Sequence, residues 1–143
     1  MVINSAEIRN RLQVLWPSLK YIWLRNTKYI IPELDEVTDL IYKYDKSNLP
    51  FIKKFNECEN YALFLHSDIK LHRVNLNLKK DEQLNWAFGD IICKKETMLG
   101  TVIHTTNICL CENDIYIIEP MRKTNKITKA DTEKYSVFYI NLM

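Results

Sequence analysis

Three side chains in this sequence are of the types that together perform thiol chemistry: Cys58, His104 and Glu119. Such chemistry needs a cysteine whose ionised form is favoured, a base to hold its proton and a polar group to orient the base. The three residues supply one of each, in that order. Cys58 stands in "FNECENYALFLHS", residues 55–67, at the mouth of an apolar helical run. There the unpaired N–H groups of the first turn and the helix dipole favour negative charge on sulfur. The opposing reading is plain: free cysteine is among the most buried residue types and packs as a small hydrophobe. The stripe Cys58, Tyr61, Ala62, Leu65 and Ile69 turns the cysteine toward the core on either reading. Only the company of His104 and Glu119 tips the balance toward chemistry.

Both partners sit in strand-like segments. In "TVIHTTNICL" the positions Val102, His104, Ile108 and Leu110 share one face, so His104 stands among apolar residues. In "DIYIIEP" the positions Ile115, Ile117 and Glu119 share a face likewise, and a carboxylate there needs a partner. Their meeting depends on register. Direct opposition of His104 and Glu119 centres the hairpin between Cys111 and Glu112. A two-residue turn at Asn113-Asp114 sets His104 opposite Lys123 instead, an offset of about 13 Å. A wider loop or a bulge restores the contact. The rival chemistry is zinc held by His104, Cys109 and Cys111. A regular strand points the two cysteines away from His104, and no second pair of ligands matches.

The elements that must position these groups follow from periodicity. Asn4 and Glu7 form a capping box before Ile8, Leu12 and Leu15, and Pro17 stops that helix. "LKYIWLRNTKYIIP" reads as two short extended pieces. A second helix carries Leu34, Val37, Leu40 and Ile41, and a third begins near Glu57 or Cys58 and runs to about His72. His66 and His72 on that helix read as surface residues. From residue 84 the pattern turns to strands: "NWAFGDIICKK", "TVIHTTNICLC", "DIYIIEP" and "KYSVFYINL". Helices leading and strands following predict an α+β fold, helices packed on one antiparallel sheet. The 143 residues are read as one domain over 1–143, with no repeat or linker.

Composition excludes several classes. Twenty basic and 18 acidic residues give a net charge of +2 with the lysine pairs scattered, so no phosphate-tracking surface is expected. Only Gly89 and Gly100 are present, which removes Gly-rich phosphate loops. No apolar run is long enough for a membrane span or secretory signal, so a cytoplasmic location with four reduced cysteines is the expectation. No nucleic-acid or membrane partner is expected.

The segments "FNECENYALFL", "NWAFGD", "HTTNICL" and "DIYIIEP", with "KYIIPELDEVTDLIYKYD" upstream, resemble the papain-like, transglutaminase-like cysteine hydrolases. The likeness is to the small Cys-His-Glu group that includes the peptidase domain of certain fungal agglutinins and phage-encoded proteins, over residues 28–120. It implies a papain-like/transglutaminase-like fold and a cysteine hydrolase (peptidase or amidase; a thiol protease) acting on a protein or peptide substrate through an acyl-thioester. Cys58 would be the nucleophile, His104 the base and Glu119 its orienter. Asn56 would be the oxyanion donor beside the Cys58 N–H, and Trp86 would wall the substrate cleft. The group often carries acidic residues just after the cysteine, linked to a divalent cation, and a Gln after "EP". This chain has Glu59-Asn60 and Met121, so no metal or other cofactor is counted as required. The alternative is an inactive papain-like fold serving as a protein-binding or inhibitory phage-like factor.

Overall fold

Asn4 begins the first helix by accepting the Glu7 N–H on its side chain at 2.8 Å. In the computed structural model, which describes residues 1–54 and 56–142, that helix is α1 (Ser5–Leu15). Ile8 and Leu12 are its buried stripe, and Trp16 and Pro17 end it. α2 (Leu34–Lys43) starts after Pro32 and buries Val37, Leu40 and Ile41. α3 (Cys58–Asn75) starts where expected but runs a turn past His72, with the Asn60 side chain accepting from the Glu57 N–H at 3.1 Å. Among the described residues no helix is long and apolar enough to cross a membrane.

Among the described residues eight strands accompany the helices: β1 (Val2–Asn4), β2 (Tyr21–Leu24), β3 (Lys28–Ile30), β4 (Phe88–Thr97), β5 (Gly100–Cys111), β6 (Asp114–Ile118), β7 (Ile127–Lys129) and β8 (Tyr135–Leu142). β1 and β3 form a two-stranded ribbon, and the others form one sheet in the order β2-β8-β4-β5-β6-β7. Gly89 in β4 has a local reason: a Cβ there would come within 2.0 Å of the Asn141 carbonyl oxygen in β8.

This architecture corrects the expected fold of N-terminal helices on a C-terminal antiparallel sheet. Strands precede α1 and α2, and strand residues outnumber helical ones. β2 pairs parallel with β8, Tyr21 opposite Tyr139, so the sheet is mixed and its edge comes from the N-terminal part. Helices cover both faces instead of one. Strand alternation sends Ile91, Ile108, Ile117 and Ile140 toward Ile8 and Leu12 of α1, and Phe88, Cys109 and Ile118 toward Val37, Leu65 and Ile69 of α2 and α3. α3 itself is buried on one side only, since Leu63 and Phe64 are exposed.

Candidate functional site

Cys58 is the first residue of α3 and half-buried. Its surroundings follow from the β5–β6 register. The Leu110 N–H bonds back to Ala87, so even-numbered residues of β5 bond toward β4 and odd-numbered ones toward β6. Cys111 pairs with Asp114 and Asn107 with Ile118, which sets Thr105 opposite Pro120 if the ladder continued. It does not continue, because the chain turns away after Ile118 and the Pro120 carbonyl accepts from Lys126 Nζ at 3.2 Å. The Thr105 N–H, left without a strand partner, donates to the Cys58 sulfur.

The hairpin closes at Glu112-Asn113, with Glu112 at φ 52, between the two registers weighed above. His104 and Glu119 are therefore diagonal, two residues from direct opposition, an offset of about 7 Å that two long side chains span. Their bond is made: His104 Nε2 lies 2.8 Å from Glu119 Oε2. The other ring nitrogen, Nδ1, is left for the Cys58 sulfur, with which His104 hydrogen-bonds. The Glu119 backbone is fixed on both sides, its N–H donating to Lys126 O at 2.7 Å and its carbonyl accepting from the Arg122 N–H at 3.1 Å.

Glu119 is 3% exposed and accepts two further bonds on Oε1, from Lys95 Nζ at 2.7 Å and Tyr135 Oη at 2.6 Å. Burial acts to raise its pKa. His104, Lys95 and Tyr135 outweigh that and hold the carboxyl well below the usual range. Burial also opposes charge on His104, yet Cys58 and Glu119 together push the imidazole up to about 9. The Cys58 thiol is lowered, by His104 first, against burial and with help from the Thr105 N–H. Glu59 opposes it, and its Oε2 lies 3.6 Å from the sulfur, the acceptor for the thiol hydrogen when one is present. Both shifts act toward the thiolate and imidazolium forms of the pair. Burial instead pushes Cys93, paired with His104 across β4, up to about 12.

The structure thus brings Cys58, His104 and Glu119 together. The other two sequence candidates lie elsewhere or are engaged otherwise. The Asn56 amide Nδ2 donates to the Pro50 carbonyl at 2.6 Å, and its buried Oδ1 has no partner among the described residues. Trp86 packs among Val37, Leu65 and Phe88 beneath the Arg73 guanidinium, 4.7 Å from the ring centre. Cys109 and Cys111 face α2 and α3 with their sulfurs 3.5 Å apart, on the side opposite His104, and no group of three metal-ligating side chains occurs among the described residues. Lys95, Tyr135, Thr105 and Lys126 were not legible as site residues, since each comes from a different segment and carries no local motif. His66, read from sequence as a surface residue, is buried.

No family model and no curated protein matches the chain. Solved structures do. A complex of PSL1a with E64 superposes with TM-score 0.72 at 14% identity, covering 99% of this chain and 50% of that one. The Polyporus squamosus lectin bound to the human-type influenza-binding epitope Neu5Acα2-6Galβ1-4GlcNAc superposes with TM-score 0.71, also at 14% identity, covering 99% and 49%. The chain spans about half the length of these solved chains, and at this identity the likeness is one of fold.

These neighbours correct the family and function expected from the sequence. The fold is shared with a structure named for a lectin and with PSL1a in complex with E64, and neither name is that of a peptidase or other hydrolase. The papain-like cysteine hydrolase reading and the inactive papain-like alternative are therefore both set aside. The motif segments did locate residues that meet in space. They are short stretches around a Cys, a His and a Glu, and such stretches fix side-chain types without fixing what the fold around them is used for.

Proposed function

We propose that the chain is a ligand-binding domain whose binding centre is the thiol of Cys58. His104 holds the proton and Glu119 orients the imidazole. The observation that carries this reading is the sulfur placed between the Thr105 N–H and an imidazole that Glu119 anchors at 2.8 Å. In a ligand with an electrophilic carbon bonded to oxygen, the Cys58 sulfur would form the new S–C bond. The C–O bond would open, and the oxygen would take the proton carried by His104. Near neutral pH the imidazole holds that proton, its pKa being about 9.

The neighbours supply two probes, the E64 of one complex and the sialylated glycan of the other. Incubation with E64 is expected to give one adduct per chain, located on Cys58 by peptide mass spectrometry and missing in Cys58→Ser. Calorimetric titration with the glycan runs in parallel. Saturable glycan binding by both wild type and Cys58→Ser, with no E64 adduct, would move the binding centre away from the thiol and sink this reading.

A further inference from the structure

A cavity of about 420 Å³ lies between the C-terminal half of α3 and the segment from Leu76 to Phe88. Cys58, His104 and Glu119 are not among its lining residues. Its volume falls within the roughly 300–1,000 Å³ of small-molecule sites. Ile69, Trp86 and Phe88 give it buried apolar walls. Its charged side chains are cationic, Lys70 and Arg73, and they share one face of α3 with His66 at spacings of three and four residues. No carboxylate lines it among the described residues.

His66 is only 4% exposed, and its Nδ1 lies 3.1 Å from Asp90 Oδ2. Asp90 in turn accepts from Asn107 Nδ2 at 2.9 Å, so its carboxylate is fixed from behind. A ring nitrogen facing a carboxylate carries the hydrogen, which leaves Nε2 as the free polar atom of the ring. Nε2 has no protein partner among the described residues, on a side chain that lines the cavity. A polar atom in that position is satisfied by what enters the cavity. Arg73 is already committed, its Nη2 donating to the carbonyls of Glu82 and Leu84 at 3.1 Å each. Its charge is thereby held over Trp86.

We propose that this cavity binds a small amphipathic carboxylate. The apolar body packs against Ile69, Trp86 and Phe88, and the carboxylate meets Lys70 beside the ring of His66, which Asp90 holds in place from behind. The site is separate from the thiol centre and does not depend on it.

Calorimetric titration of the full chain with octanoate, and with octan-1-ol as the neutral analogue, tests the proposal. One octanoate per chain is expected, bound at least about tenfold more tightly than the alcohol, as loss of one charge-assisted contact implies. Lys70→Glu, an exposed position, is expected to weaken octanoate at least about tenfold, Lys70→Ala less, and Cys58→Ser not at all. Three results would each overturn it: no saturable octanoate binding, equal affinity for the alcohol, or octanoate affinity unchanged in both Lys70 variants of unaltered melting temperature. Loss of octanoate binding in Cys58→Ser would overturn the independence of the two sites.

Discussion

The molecule holds two imidazole–carboxylate pairs of similar geometry, His104–Glu119 at one end of the sheet and His66–Asp90 beneath α3. They differ in what faces the other ring nitrogen. For His104 it is the Cys58 sulfur, and for His66 it is the cavity walled by Ile69, Trp86 and Phe88 and carrying Lys70 and Arg73. They differ also in how the carboxylate is held. Glu119 is buried and takes bonds from Lys95 and Tyr135, while Asp90 is partly exposed and takes one from Asn107. A carboxylate fixes an imidazole's orientation in both places. The atom on its far side decides whether the pair tunes a thiol or anchors a ligand.

The comparison breaks most sharply at the sulfur. Iodoacetamide near neutral pH is expected to modify Cys58 and leave Cys93, Cys109 and Cys111 intact, because burial raises Cys93 to about 12 and Cys109 also well above the ordinary range. Cys58→Ala should then remove essentially all labelling, and equal labelling of all four cysteines would end the distinction between the two regions. His104→Ala removes the largest influence lowering the thiol. Its alkylation rate at pH 7 should drop on the order of tenfold or more, with the pH midpoint moving upward.

Glu119→Gln leaves Lys95 without its buried partner and should cost about 3–5 kcal/mol, measured by urea unfolding. Its pH signature follows from the sign of the shift. Because the folded carboxyl is depressed, its stabilisation is present above the unfolded value of 4.5 and is lost as pH falls below it. The stability of Glu119→Gln should be flatter over that acid range. In the same variant the His104 imidazole should titrate below 9, visible by NMR.

Lys126 is 1% exposed and ties Asp45 at 2.7 Å to the turn that carries Glu119. Lys126→Met should loosen that turn and slow Cys58 alkylation by roughly a few-fold, about 1 kcal/mol. The smallest expected effect is the sharpest control. His66→Gln should leave the Cys58 alkylation rate within about twofold, since no hydrogen bond among the described residues joins the two pairs.

The sequence made the local features legible. The Asn4–Glu7 cap, the start of α3 at Cys58, and the inward alternation of His104 with Ile108 and of Glu119 with Ile117 all depend on side-chain period and capping chemistry within a few residues. Features that join distant segments were not legible. β2 pairs with β8 more than a hundred residues away, and its apolar alternation looks the same in a parallel or an antiparallel sheet. The sequence reading also failed at His66 on α3, read as a surface residue but buried against Asp90 of β4, while Leu63 and Phe64 of the same helix face outward.

By itself the sequence determined that a cysteine opens a helix, that a histidine stands on a strand among apolar residues, and that a glutamate followed by a proline closes an apolar strand. Periodicity and helix-end electrostatics act over a few residues and need no partner. Whether those groups meet was decided by tertiary structure alone. A hairpin closing at Glu112-Asn113 makes His104 and Glu119 diagonal neighbours, and the ladder's end at Pro120 leaves the Thr105 N–H for the sulfur. Lys95 and Tyr135, from β4 and β8, then fix the carboxylate. Register and strand order are properties of the whole sheet, and a one-residue slip in either would separate every one of these contacts.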